Sequence, residues 1–195
     1  MKSELQQKLF DKYPNLFSQK DWSMRETCMC WGCECGDGWY PILWDMCRRI
    51  DEVMKQYDVV VSFSQVKEKY GTLRVYHLVS FGDSWERKSQ YLLLRRLLKP
   101  IPWLRNRLKP VVWKYKGEDK LAKVNLGWES AGQMIDALDS VGNQIDEAIN
   151  LAEIFSSFTC EECGQTFVTE EETGRGCGGF ITTLCPSCKT KNART

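Results

Sequence analysis

The stretch Val59-Val-Val-Ser-Phe-Ser-Gln-Val-Lys-Glu-Lys69, Tyr70-Gly71, Thr72-Leu-Arg-Val-Tyr-His-Leu-Val79 decides the fold class. Two β-rich runs flank a two-residue turn, the signature of a β-hairpin. On the return strand Leu73, Val75, His77 and Val79 share one face, and Arg74, Tyr76 and Leu78 share the other. On the outgoing strand the apolar set Val59, Val61 and Phe63 changes parity at Val66, which predicts a bulge near Gln65. A lone hairpin is marginal in water and needs helices to cover it.

The flanking sequence supplies such helices. Before the hairpin, Trp39, Leu43, Met46, Ile50, Val53 and Tyr57 recur at helical spacing. This predicts a helix over about 40–56, with Asp37 as its cap and Pro41 in its first turn. Further upstream, Ser3 and Gln6 read as a capping box. Leu5, Leu9 and Phe10 continue a short helix, and Pro14 stops it. Tyr13-Pro-Asn-Leu-Phe17 reads as a loop carrying aromatics into the core. After the hairpin, Ser130 and Gln133 form a second capping box. Met134, Leu138, Val141, Ile145, Ala148, Ala152 and Phe155 follow in steps of four and three, predicting a long helix over 131–157. It serves as a spine inside the domain or as a homodimer contact, and the glycines and alanines favour the spine.

The strongest chemical signal is Cys160-Glu-Glu-Cys163 with Cys185-Pro-Ser-Cys188. Two C-x-x-C pairs predict a closed tetrahedral site for one structural Zn2+, with Cys160, Cys163, Cys185 and Cys188 as ligands. The spacer reads as strand, glycine loop and strand, which is a zinc ribbon. Cys177 is a spare thiol in that loop. Four thiolates leave no position for an activated water, so the pattern does not suit hydrolytic zinc. Cys28-Met-Cys30-Trp-Gly-Cys33-Glu-Cys35 has two readings: a second metal cluster, or small half-buried residues on a strand or loop.

Charge is sorted along the chain. Residues 1–81 are neutral, 82–128 carry a net +8 and 129–195 a net −7. In the basic segment Arg87, Lys88, Arg95, Arg96, Arg105 and Arg107 interleave with Trp85, Tyr91 and Trp103. Such a lobe packs on its own domain, contacts nucleic acid through phosphates and base stacking, or lies on a membrane surface. Around the hairpin tip Lys67, Lys69 and Arg74 either protect a sheet edge as solvated charges or form an anion site with Asp37 and Trp39.

No apolar run reaches the roughly 20 residues of a membrane span. No signal peptide is read at the N-terminus, and ten cysteines without one suit the cytoplasm. The sequence leans away from an enzyme. It has no phosphate loop and no dinucleotide fingerprint. Its one histidine, His77, lies mid-strand without a catalytic partner nominated by spacing. Glu68-Lys69 is followed by Tyr70, so the carboxylate-any-lysine order of metal-dependent nucleases is missing.

Tyr13-Pro-Asn-Leu-Phe17, Trp31-Gly32, Gly36-Asp-Gly-Trp-Tyr40, Gln65-Val-Lys-Glu-Lys-Tyr-Gly-Thr-Leu-Arg74, Cys160-Glu-Glu-Cys-Gly164 and Leu184-Cys185 with Cys188 together resemble a family of small bacteriophage- and prophage-encoded proteins. The match spans both ends and skips about 82–128. The resemblance implies a host bacterial cytoplasm and a zinc-binding end, and no particular activity. The expectation is an α+β protein with a small antiparallel sheet (hairpin 59–79) packed on helices and a C-terminal four-cysteine zinc ribbon. It divides into 1–81, the N-terminal part of the core; 82–128, a basic insertion; 129–158, the long helix completing the core; and 159–195, the ribbon. The expected function is that of a non-enzymatic accessory protein binding a host macromolecule or an anionic ligand and interfering with a host process. The alternatives are nucleic-acid binding through 82–128 and an enzyme of another type centred on Asp37.

Overall fold

A computed structural model describes residues 1–57, 59–80, 96, 131–167 and 181–192. Its described elements are α1 (Ser3–Lys12), β1 (Cys33–Glu34), α2 (Tyr40–Tyr57), β2 (Val60–Lys69), β3 (Thr72–Ser80), α3 (Ala131–Ser157) and α4 (Pro186–Asn192). Single 3-10 turns at Met29–Trp31 and Asp37–Trp39 precede β1 and α2. The protein is therefore α+β, a small three-stranded sheet packed on helices. Its strand order is β1-β2-β3.

The hairpin forms as its sequence predicts. Tyr70 and Gly71 both have positive φ (55° and 74°), the conformation whose twist matches two antiparallel strands. Leu73 and Val75 are buried, Tyr76 and Leu78 exposed. On β2, Val61, Phe63 and Val66 are buried with two half-buried residues between the last pair, the parity change expected near Gln65. The sheet gains a strand that periodicity does not nominate. β1 pairs parallel with β2, Cys33 opposite Val66 and Glu34 opposite Lys67, so the sheet is mixed rather than purely antiparallel.

Two compact units partition the chain. One comprises Met1–Asp51, Val61–Leu78 and Asp146–Thr195; the other comprises Glu52–Val60 and Val79–Ile145. In the first unit, Leu9, Leu16, Phe17, Trp39, Leu43, Met46, Ile50, Phe63 and Leu73 are fully buried. Phe17 stacks edge-on against Phe63 at 5.3 Å and tilts against Phe10 at 4.8 Å, contacts that add to plain area burial. The 13–17 loop thus carries its aromatics into the core, and its Leu16 carbonyl accepts the Phe63 N–H (2.7 Å). In the second unit Val53, Met54, Val59, Val141 and Ile145 are buried.

Helix α3 covers the free edge of β3. Ser156 Oγ accepts the Leu73 N–H (2.8 Å), and the Glu153 carboxylate accepts the Val75 N–H (3.3 Å) while pairing with Arg74 (3.1 Å). Edge groups left bare would template aggregation.

Three local expectations are corrected. Ser3 does not cap α1: Lys2 is the cap position and makes no side-chain cap bond. Gln6 instead reaches Cys33, whose N–H it accepts at 2.7 Å. Asp37 does not cap α2, because a 3-10 turn intervenes. On α3, Phe155 is exposed, and the buried stripe ends on Ile149, Ala152 and Ser156. The second capping box, at Ser130, begins outside the described residues.

Candidate metal centre

The first knuckle is built by a narrow chain reversal. Thr159 and Thr166 form an antiparallel bridge. Cys160 N–H donates to Gln165 O (2.8 Å) and Gly164 N–H to Cys160 O (2.9 Å). Gly164 takes φ +79°, which a side chain would resist. The second knuckle lies at the start of α4. Pro186 suits a first helical position, and Lys189 N–H closes the turn onto Cys185 O (2.9 Å).

The two knuckles bring four sulfurs together. The Sγ atoms of Cys160, Cys163, Cys185 and Cys188 all lie within 4.8 Å of one another. Cys163 and Cys185 are 3.7 Å apart. Metal–thiolate bonds of about 2.3 Å in a tetrahedron place sulfurs roughly 3.8 Å apart, so the spacing fits a metal. Cys160, Cys185 and Cys188 are buried with Phe167, and Leu184 packs against them; Cys163 is exposed. Around Cys185, Ser187 Oγ lies at 3.0 Å and Cys188 N–H donates at 3.4 Å. These bonds hold the Cys185 thiol down at about 6, and its neighbour Cys188 is pushed up to about 12 chiefly by Cys185. Four thiolates this close repel one another unless a cation sits among them. These four cysteines could hold a metal ion.

Sequence spacing found the four candidate ligands but not what seats them. The first knuckle rests on Gly36-Asp-Gly-Trp39. Gly38 N–H donates to Glu161 O (2.7 Å) and Gly36 N–H to the Glu161 carboxylate (2.8 Å). Trp39 Nε1–H donates to Thr159 O (2.8 Å). A Cβ at either glycine would overlap backbone of the knuckle. Burial raises the Glu161 carboxyl, opposed by the Gly36 N–H. The segment before the second knuckle rests on the hairpin turn: Thr183 Oγ1 donates to Gly71 O, and Thr183 O accepts the Glu161 N–H (2.8 Å). The Gly-Asp-Gly-Trp turn, the hairpin tip and both C-x-x-C pairs therefore meet at one place. The glycine spacing carried the one signal of this, since two glycines around one residue admit a close backbone neighbour.

The residues expected around an anion site are engaged within the protein. Asp37 accepts the Lys2 backbone N–H (2.6 Å) and pairs with Lys2 Nζ (3.0 Å), bonds that hold its carboxyl below the usual range. Trp39 is fully buried. Arg74 pairs with Glu153. Lys67 lies over the Tyr76 ring (5.7 Å) and Lys69 over the Tyr70 ring (5.4 Å). Of the basic residues expected to contact nucleic acid, Arg96 is helical and exposed; Arg87, Lys88, Arg95, Arg105 and Arg107 lie outside the described residues, as does Cys177.

Among the described residues the four C-terminal cysteines are the only such converging group of His, Cys, Asp or Glu. In the N-terminal group Cys33 and Cys35 are buried, Cys30 Sγ lies 3.2 Å from Thr27 O, and Cys28 is exposed. Burial pushes the Cys33 thiol up to about 12 and raises Cys35 as well. Cys33 and Cys35 thus have the features of inert core thiols rather than of ready ligands. His77 is mostly buried, with Nε2 3.5 Å from Asp146. No described helix is long and apolar enough to cross a membrane. No protein-family model matches the chain, and neither a curated protein nor a solved structure is similar to it.

Proposed function

We propose that the protein is a zinc-binding accessory protein whose single four-cysteine centre is structural and whose activity is binding rather than catalysis. The convergence of four cysteine sulfurs, three of them buried, carries this reading. An all-sulfur tetrahedral donor set suits zinc. Four thiolates fill the coordination shell, so the metal would supply folding energy and no activated water. In this reading Cys160, Cys163, Cys185 and Cys188 hold the ion, and the zinc fastens the C-terminal segment onto the Gly-Asp-Gly-Trp turn and the hairpin tip. The partner is a host macromolecule or an anionic ligand, in the bacterial cytoplasm that the resemblance to phage proteins implies.

Native purification followed by metal analysis and intact-complex mass spectrometry tests it. One zinc per chain is the expected result. A chain that folds without metal and takes up none on titration overturns it. Two zincs per chain would give the Cys28–Cys35 group an ion of its own.

The net charge of +8 over residues 82–128 supports a second reading, nucleic-acid binding. It requires an affinity that falls steeply with salt, by a slope of about 0.9 per phosphate neutralised. Replacing Arg95, Arg96, Arg105 and Arg107 by Ala would flatten that slope and weaken binding; unchanged binding removes the reading.

A further inference from the structure

The buried stripe of α3 narrows from Val141 and Ile145 to Ala148 and Ala152. Two alanines one turn apart leave room beside α2. The result is an open pocket of about 230 Å3, all of whose lining residues lie in the first compact unit. Met46, Ala148 and Ala152, all buried, form its floor; Ile42, Leu151 and the exposed Phe155 form its walls. Its charged lining residues are Asp45 and Arg49, one helical turn apart. Asp45 accepts from Arg49 Nε (2.7 Å) and from Arg48 Nη2 (2.7 Å), so one carboxylate serves two guanidinium groups. Asp45 holds Arg49 by Nε alone, and the two terminal amino groups of Arg49 meet no acceptor among the described residues. An apolar pocket beside one oriented donor fork suits a carboxylate carried on an apolar body.

We propose that this pocket binds a small aromatic carboxylate, its ring over the two alanines and against Phe155, its carboxylate on the terminal amino groups of Arg49. The proposal names the anionic ligand left open in the binding reading above and rests on that reading. Size sets the class. The volume of about 230 Å3 falls below the roughly 300–1,000 Å3 of drug-sized sites, so the body is one ring or two fused rings rather than a long chain. Phe155 favours an aromatic body. It is 54% exposed, and a ligand ring packed on it would cover apolar surface and gain an aromatic pair. Charge favours a single carboxylate. Glu147, exposed and next to Ala148 in α3, would repel the further carboxylates of an acidic segment from a partner protein.

The test titrates the isotope-labelled full chain, as purified, with indoleacetate, with its neutral counterpart indoleacetamide, and with acetate as a bare anion, following backbone amide resonances. The expected result is a saturable shift at Ala148, Leu151 and Ala152 with indoleacetate, binding about tenfold weaker for the amide, and none for acetate. Arg49→Gln should weaken indoleacetate by about tenfold and leave indoleacetamide unchanged, and Phe155→Ala should weaken both. Equal affinity for acid and amide overturns the proposal, as do shifts centred elsewhere, acetate binding as well as indoleacetate, or no saturable shift at all. Should Arg49→Gln fail to fold, the comparison of acid with amide on the unsubstituted chain decides. A probe that binds at these residues but is recovered chemically changed would support the pocket and refute the non-catalytic reading, which separates the two failures.

Discussion

Gly38 concentrates the relation between sequence and site into one hydrogen atom. A methyl group there would overlap the Cys160 carbonyl oxygen and crowd the Gly164 nitrogen, both backbone atoms of the first knuckle. No flexible side chain can give way. Gly38→Ala should therefore cost more than about 3 kcal/mol and weaken zinc retention, read by thermal unfolding and metal analysis. Gly142→Ala is the matched control. Nothing lies within 4 Å of a Cβ there, and it sits within α3, so it should stabilise by about 0.5–1 kcal/mol. His77 makes a different prediction. Burial lowers its pKa from 6.5, and Asp146 only partly opposes this. The unfolded chain then takes up the proton first as pH falls. Stability from this group is complete above 6.5 and is lost progressively below it. His77→Gln should flatten that part of the pH profile; parallel profiles for both proteins would reject the assignment. His77 and Gly38 were unequally legible. A histidine on a Leu/Val strand face reads as packed from its spacing alone, whereas the neighbour that makes Gly38 necessary lies in the distant C-terminal segment of the sequence.

Helix α3 is where a strong local signal and a tertiary constraint meet. Its length was legible, because apolar steps of four and three sustain a helix from 131 to 157. Its buried face was legible only up to Ala152. Beyond that point the helix meets the edge of β3, which needs acceptors for its N–H groups rather than another aromatic. Ser156, fully buried, takes the place that periodicity gave to Phe155. Ser156→Ala would leave the Leu73 N–H without its 2.8 Å acceptor, at a cost of about 1–3 kcal/mol. Hydrogen exchange at Leu73 should accelerate in step with the loss; an unchanged rate would show that the Ser156 hydroxyl gives that amide no protection. Glu153→Ala removes the acceptor of the Val75 N–H and the partner of Arg74 together, so it should cost more than Arg74→Ala, whose ion pair is partly exposed and weakly coupled. Strand β1 escaped the sequence for the opposite reason. Two residues carry no period, and Cys33–Glu34 is a strand only because β2 lies beside it and Gln6 accepts the Cys33 N–H.

The cysteine module reads from sequence as an appendage, yet its contacts make it part of the unit that holds the sheet. Glu161, Thr159 and Thr183 bond to Gly36, Gly38, Trp39 and Gly71, and all of these residues lie in the same compact unit. Periodicity describes each element alone; it cannot register that four short segments, at 36–39, 70–71, 159–164 and 183–188, share their backbone hydrogen bonds. A metal ion held by the four cysteines, zinc in the reading proposed above, would therefore act on the folding of the whole unit. A ligand that binds only the folded state stabilises it by RT ln(1 + [L]/Kd), about 4 kcal/mol at free zinc a thousand-fold above Kd. Urea unfolding should then show one transition, with Trp39 burial and cysteine accessibility to a thiol reagent changing together. Adding zinc should move the midpoint upward and leave the slope of stability against urea unchanged, because the same surface is exposed with or without metal. An independent appendage would behave otherwise. Its thiols would become reactive in an early, zinc-dependent step, while the core around Phe17, Phe63 and Leu43 unfolded at a midpoint indifferent to zinc. Trp39 distinguishes the two cases directly. Its indole is buried in the core and its Nε1–H is bonded to Thr159, so it reports core and knuckle at once. Chelation that changes thiol accessibility without changing the Trp39 environment would show that the hydrogen bonds between them carry no cooperativity.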